Sequence, residues 1–171
     1  MKINEIKESA SDIVLMENFL KEDIFLKIKN ILLSSDFPWF YNSYTGDIND
    51  KNNFLFYHYL FKDNQQTSDF FNLILVPILS KLECSLLLRA KINLYTKKEK
   101  AIKTAYHVDQ KYNHKVALFS INSNNGFTLF EDGRNIISKE NQIAFFDGDL
   151  KHSSVNQTDE NLRINININY L

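Results

Sequence analysis

The C-terminal half of the chain alternates between hydrophobic and polar residues with a period of two, a pattern typical of strands that bury one face. The clearest case is the segment 163–170, in which isoleucines alternate with polar residues without exception. Its isoleucine face must be buried, and we expect it to pack against helices. The other face could meet solvent, as in many antiparallel sheets. We favour a face that points into the mouth of a polar barrel, carrying Arg163, Asn165, Asn167 and Asn169.

A second alternating segment, 86–95, predicts another strand with one apolar face, and its polar positions are Arg89, Lys91, Asn93 and Tyr95. The remaining hydrophobic runs of this half are short and are separated by turn-forming residues. They predict strands at 116–122, 127–130 and 142–146. So many short strands and turns indicate a mainly β, α+β protein whose antiparallel sheet is closed or sandwiched.

The N-terminal half contains two segments with helical periodicity. Apolar residues recur at helical spacing from Lys21 to Leu33. A second helix should begin at a cap within 67–69 and continue towards Leu82, with a kink or an early end at Pro77. Both helices are expected to buttress the sheet.

Other N-terminal segments predict short strands and connections. We expect a buried strand at 13–16, an aromatic corner at 37–41, an exposed polar loop at 47–53 and an aromatic strand at 54–61. The last strand contains His58, which we interpret as structural because no carboxylate lies two residues away.

Length and composition favour one domain covering residues 1–171, because 171 residues suffice for a single sizeable core. The 20 lysines and arginines nearly balance the 21 aspartates and glutamates, so no overall attraction to nucleic acid or to an anionic membrane is expected. The sequence shows neither a signal peptide nor a membrane span. Cys84 is the only cysteine, which favours a reducing, cytoplasmic location.

The candidate chemistry begins with Tyr106-His107-Val108-Asp109. On a strand, His107 and Asp109 would project from the same face and could bind one metal ion. His152 follows a Phe-Asp-Gly turn 45 residues after His107. Two histidines and a carboxylate form the facial triad of non-haem Fe(II) oxygenases, so His107, Asp109 and His152 are the predicted ligands. His114 competes for this role, but its polar surroundings predict an exposed side chain.

These motifs, together with the segment 125–128 and Arg163 eleven residues after His152, resemble the Fe(II)- and 2-oxoglutarate-dependent dioxygenases. The similarity is to the compact prolyl-hydroxylase-like branch and its short, often phage-encoded relatives. It is strongest from about residue 86 to the C-terminus. The resemblance implies a double-stranded β-helix (jelly-roll, cupin-like) core with N-terminal buttressing helices.

The resemblance also implies a function. Fe(II) would be the metal and 2-oxoglutarate and O2 the cosubstrates of a hydroxylation that releases succinate and CO2. Arg163 would bind the distal carboxylate of 2-oxoglutarate, Tyr95 would orient it, and Ser120 would supply another contact. By family analogy the substrate is a peptidyl side chain such as proline, with a free amino acid, a small metabolite or a nucleobase as the next candidates, and nucleic acid is not favoured.

Two other classes of protein remain open at this stage. A cupin-like metalloprotein using zinc or manganese could share the ligands without 2-oxoglutarate, and turnover that requires the cosubstrate would separate the two. A metal-free binding module would bind no stoichiometric Fe(II).

Overall fold

The computed structural model describes residues 13–45 and 53–171. The predicted loop at 47–53 lies outside these residues except for Asn53. The strands are β1 (Val14–Met16), β2 (Phe40–Asn42), β3 (Leu55–Lys62), β4 (Gln65–Gln66), β5 (Leu87–Thr96), β6 (Lys115–Ser120), β7 (Phe127–Phe130), β8 (Asn135–Ile137), β9 (Gln142–Asp147), β10 (His152–Val155) and β11 (Leu162–Tyr170). The helices are α1 (Glu22–Leu33) and α2 (Val76–Leu79), the latter preceded by a π-helical turn, Phe71–Leu75.

The strands of the described residues form two antiparallel sheets. The larger runs in the order β1-β9-β6-β11-β5-β3-β2, with β4 added beside β3, and the smaller in the order β10-β7-β8. The chain crosses between the sheets repeatedly after β6. This architecture is the mainly β double-stranded β-helix expected from the resemblance, with helices added by the N-terminal half.

The central strand β11 has the hydrophobic core on one face and polar side chains on the other. Its residues Ile164, Ile166 and Ile168 are almost completely buried and belong to the same hydrophobic cluster as the inner face of α1. That face consists of Phe25, Ile28 and Leu32. The predicted packing of the isoleucines against helices is therefore confirmed, and the alternate residues of β11 point to the other side of the sheet.

One predicted element differs in the structure, and another ends where its sequence suggested. The residues of β1 form a strand as predicted, but Val14, Leu15 and Met16 are each about half exposed, because β1 pairs only with β9 at the edge of the sheet. The second helix ends early, at Leu79, as the proline suggested. Pro77 has no N–H for the carbonyl of Leu73. In the turn before it, the N–H of Val76 donates to Phe71 O, which widens the helix.

None of the helices in 13–45 and 53–171 is long and apolar enough to cross a membrane.

Candidate metal centre

The structure brings His107, Asp109 and His152 together. One ligand atom from each lies within 4.8 Å of the other two. The predicted strand around His107 is instead a single antiparallel bridge, in which His107 and His152 exchange two backbone hydrogen bonds of 2.9 Å. This bridge places the centres of the two imidazole rings 4.8 Å apart, with the ring planes tilted by 52°. Local pairing with β10, and not a regular strand, therefore orients the His-x-Asp segment.

Backbone carbonyls fix the rings of both histidines. Nδ1 of His152 lies 2.9 Å from the carbonyl of Leu150, and Nδ1 of His107 lies 3.3 Å from that of Ala105. With Nδ1 donating to a carbonyl, Nε2 of each ring keeps its lone pair for a metal. Burial lowers the pKa of His152 although Asp109 opposes the shift, so this ring is neutral at pH 7, as a ligand must be.

Three donors hold the carboxylate of Asp109 in place. Arg89 forms an ion pair with Oδ1 at 2.9 Å, and the amides of Asn167 and Asn169 donate to Oδ2 at 2.8 and 3.0 Å. Burial by itself raises the pKa of Asp109, but Arg89, His152 and the two amides outweigh it and hold this pKa well below its usual range. Asp109 is therefore ionised, and Oδ1 retains a lone pair for a cation.

Arg163 lies on the polar face of β11, at the opposite end from Asn169, and is only 2% exposed. Its Nε donates to Ser138 Oγ at 2.8 Å, and one terminal nitrogen donates to Ser154 Oγ at 2.7 Å and to Val155 O at 3.2 Å. The other terminal nitrogen has a 3.4 Å contact with Thr128. None of the ion pairs found in 13–45 and 53–171 includes Arg163. Burial accordingly lowers the pKa of this guanidinium, which remains protonated.

Tyr95 and Ser120 have different positions relative to this face. Tyr95 is the register partner of Arg163, and the guanidinium carbon lies 5.2 Å from the centre of its ring. Ser120 is buried beside Asn165 but does not line the cavity described below. Tyr95 can therefore act together with Arg163, whereas the predicted contact from Ser120 has no support in this geometry.

Two histidines lie outside the metal centre. His58 contacts Pro38 O and Ser68 Oγ under an aromatic cluster, in agreement with the structural role proposed for it. The prediction that His114 is exposed was wrong, because it is only 2% exposed and its ring packs against Gly148. A Cβ at Gly148 would lie 2.2–2.4 Å from ring atoms of His114, so only glycine fits there. His114 is not part of the candidate metal-binding group.

A cavity of about 320 Å³ joins the metal centre to Arg163. Its lining includes the three candidate ligands, the polar face of β11 from Arg163 to Asn167, and Arg89, Lys91, Asn93 and Tyr95 of β5. Sequence reasoning did not assign a function to Arg89, Lys91 or the asparagines. The period-two pattern of β5 and β11 already placed them on the same faces as Tyr95 and Arg163, and this was the available signal.

The donor set fits a non-haem ferrous ion. Two imidazole nitrogens and one carboxylate oxygen lie within 4.8 Å of one another and line the cavity, and such a set would occupy one face of an octahedral ion and leave the remaining positions for other ligands. The cavity is also lined by the buried Arg163, which has no carboxylate partner among the described residues and is separate from the three ligands. These two features suit a metal together with an anionic cosubstrate.

Comparisons with known proteins identify the fold. Neither the protein-family models nor the curated proteins contain a match to this chain. Among solved structures, the non-heme alpha ketoglutarate dependent epimerase SnoN from nogalamycin biosynthesis matches with 15% identity and a TM-score of 0.66, over 94% of this chain and 76% of that one. A Pseudomonas putida prolyl-4-hydroxylase matches with 11% identity and a TM-score of 0.61, over 94% and 93%.

Two further structures show ligands bound to this fold. A prolyl hydroxylase from Trichoplax adhaerens, in complex with a peptide fragment of the hypoxia inducible factor oxygen degradation domain, matches with 10% identity and a TM-score of 0.62, over 93% and 83%. A second structure of SnoN contains Fe3+, alpha ketoglutarate and nogalamycin RO. Identities this low establish the shared fold alone. The fold expected from the resemblance to 2-oxoglutarate oxygenases, including prolyl hydroxylases, is confirmed.

Proposed function

We propose that this chain is a single-domain Fe(II)- and 2-oxoglutarate-dependent dioxygenase that hydroxylates its substrate. One observation carries the proposal. The two histidines and the carboxylate of a facial triad share a cavity with Arg163, a buried arginine that has no carboxylate partner among the described residues. The triad suits Fe(II). The planar guanidinium suits the distal carboxylate of a dicarboxylic acid.

Each group of residues has a distinct role in this proposal. His107, Asp109 and His152 hold the metal, and Arg163 with Tyr95 holds the cosubstrate. Bound together, iron, 2-oxoglutarate and O2 supply an oxidation of a substrate C–H bond that is coupled to decarboxylation of the cosubstrate to succinate and CO2. No side chain is required as an acid or base for this step.

The surrounding residues of the chain position the ligands. Arg89, Asn167 and Asn169 fix both oxygens of Asp109, so this carboxylate has little freedom to rotate away from the metal. The carbonyls of Ala105 and Leu150 select the tautomers of the histidines. Burial of Arg163 in the interior strengthens its attraction for a carboxylate, because the local dielectric constant is low.

The comparisons support a peptide or small-molecule substrate. The Trichoplax adhaerens enzyme was solved with a peptide and SnoN with nogalamycin RO. By analogy with the prolyl hydroxylases we favour a peptidyl side chain such as proline, and nucleic acid is not favoured because the net charge is −1. We expect the protein to be cytoplasmic, because its single cysteine favours a reducing compartment.

Two measurements test the proposal. Anaerobic titration should give one Fe(II) per chain, and binding should be lost in His152→Ala. In air, succinate release should require both iron and 2-oxoglutarate. Turnover that does not depend on 2-oxoglutarate would favour a cupin-like metalloprotein, and absence of stoichiometric metal binding would favour a metal-free module.

A further inference from the structure

The described lining of the cavity carries more positive charge than the proposed cosubstrate can neutralise once a divalent metal is bound. The cations of its lining are Arg89, Lys91 and Arg163, and Asp109 is its only carboxylate among the described residues. These four side chains therefore have a net charge of +2. A divalent metal raises this charge to +4, and a dianionic cosubstrate returns it to +2. Arg163 is buried and Arg89 and Lys91 are partly buried, so an excess of this sign favours the entry of another anion.

Lys91 is the cation with no assigned partner. Arg89 is paired with Asp109, and Arg163 is assigned to the cosubstrate. No ion pair found in 13–45 and 53–171 includes Lys91. Its Nζ lies 5.1 and 5.6 Å from the ring centres of Tyr57 and Tyr59, which position the ammonium but compensate its charge only in part.

The register of the sheet places Lys91 at the metal end of the cavity. Lys91 pairs with Asn167, and Asn167 donates to the metal ligand Asp109. Arg163 pairs with Tyr95, four residues further along β5. Four residues of strand correspond to about 13 Å. Lys91 and Arg163 thus lie at opposite ends of the space that metal and cosubstrate would share.

The lowered pKa of Lys91 agrees with a role in anion binding. Burial, reinforced by the like charges of Arg89 and Lys62 and opposed by Asp109, lowers the pKa of Lys91 to about 8. An ammonium in this environment gains more from an incoming anion than an exposed lysine does, because its charge is poorly compensated beforehand.

We propose that Lys91 binds a carboxylate or phosphate group of the primary substrate, which is a small anionic molecule. This proposal rests on the proposed function and, for the same site, replaces the peptidyl side chain favoured there by analogy with a small-molecule substrate. The volume of about 320 Å³ is at the lower end for ligand pockets and must also hold 2-oxoglutarate, so the remaining space suits a small molecule. Tyr59, which also lines the cavity, would contact the apolar part of that molecule.

The test follows Lys91 directly by NMR. Isotope-labelled protein is loaded with Zn(II), a redox-inert substitute for iron, and with saturating 2-oxoglutarate, and is then titrated with acetate or methyl phosphate at constant ionic strength. The side-chain signals of Lys91 and the ring signals of Tyr59 should shift saturably. In Lys91→Met the affinity reported by Tyr59 should fall at least about tenfold, as expected for loss of a hydrogen bond to a charged group.

Two variants serve as controls. Lys103→Met removes a lysine that also lies over a tyrosine, with Nζ 4.3 Å from the ring centre of Tyr106, but that does not line the cavity. It should leave anion binding unchanged. Lys91→Arg keeps the charge and should retain most of the affinity. Thermal unfolding of Lys91→Met should be no easier than that of the wild type, because the substitution removes a poorly compensated cation.

Three results would overturn the inference. Equal affinity of the anions for the wild type and Lys91→Met would show that their binding does not depend on this lysine. A loss of 2-oxoglutarate affinity in Lys91→Met, with anion binding unchanged, would assign Lys91 to the cosubstrate. Absence of any saturable shift would mean that no anion site exists. Failure of the proposed function is detected separately, since the wild-type protein would then not bind Zn(II) and 2-oxoglutarate.

Discussion

Replacement of Arg163 should remove most of the affinity for 2-oxoglutarate. Arg163→Lys keeps a positive charge, but a single ammonium cannot contact Ser138, Ser154 and a ligand carboxylate in the planar arrangement of the guanidinium. Arg163→Ala loses both charge and shape. A hydrogen bond to a charged group contributes about 1.5–3 kcal/mol, which corresponds to a roughly ten- to hundredfold loss of affinity.

Ligand-induced thermal stabilisation provides the assay. At a 2-oxoglutarate concentration of about 100 times the wild-type Kd, binding stabilises the wild-type protein by about 2.7 kcal/mol. For a variant with tenfold weaker binding the same concentration gives about 1.4 kcal/mol, and for hundredfold weaker binding about 0.4 kcal/mol. In a domain of this size 1 kcal/mol shifts Tm by about 2–4 °C. The wild-type shift of about 5–11 °C should therefore fall by half or more.

The difference between Tm with and without cosubstrate separates binding from folding. Any effect of the substitution on the unliganded protein cancels in this difference. Arg134→Lys is the matched control, because Arg134 is paired with Asp132 on the surface, away from the cavity. Iron affinity should be unchanged, since Arg163 is not a ligand. An equal shift in wild type and Arg163→Ala would refute the assignment of Arg163 and the main argument for this cosubstrate.

Further predictions concern the ligand carboxylate and the second histidine. Asp109→Asn should destabilise the metal-free protein by about 3 kcal/mol in urea unfolding at pH 7, because it leaves the charge of Arg89 without its partner. Folding lowers the pKa of Asp109, so the difference in unfolding free energy between the wild type and Asp109→Asn should persist above about pH 4 and shrink as the pH falls below it. A difference that does not depend on pH would contradict the ion pair. His114→Ala should keep stoichiometric Fe(II) binding, whereas loss of iron would make His114 a ligand. Gly148→Ala should cost about 1–3 kcal/mol through its clash with the ring of His114, and less in combination with His114→Ala; additive costs would argue against the contact.

The strand pattern made most of the sheet predictable. Alternation identified β5 and β11 and assigned their faces correctly, because each strand has one apolar core face and one polar face that lines the cavity. The run at β1 was predicted to be buried because it is apolar. A run of three apolar residues has the same sequence pattern in an exposed edge strand as in a buried strand, so the exposure of β1 could not be inferred.

The candidate ligands were predictable, whereas their supporting residues were not. His-x-Asp and a distant histidine are local signals. The ion pair of Arg89 with Asp109 joins residues that become neighbours only on folding, so no local sequence pattern predicts it. The same holds for His114, whose burial depends on the absence of a side chain at Gly148.

Gly126 links a sequence motif to the position of Arg163. A Cβ at this glycine would lie 2.9 Å from Cδ of Arg163 and 2.8 Å from Oδ1 of Asn124. The Asn-Gly-Phe-Thr segment therefore serves the site in two ways, since Gly126 makes room for the arginine stem and Thr128 contacts the guanidinium. This close approach, more than turn geometry, accounts for glycine at this position.

The register of β11 couples the fold to the candidate site. This strand pairs with β5 on one side and β6 on the other, so its position is fixed from both edges. A slip by one residue would turn Ile164, Ile166 and Ile168 into the cavity and Arg163 into the apolar core. Each exposed isoleucine would cost about 1.5–3 kcal/mol, and burial of an unpaired arginine would add to this. The packing that excludes this slip also fixes the position of Arg163 relative to Asn167 and Asn169, which donate to Asp109, so the same core packing sets the separation of the Arg163 and Asp109 ends of the cavity.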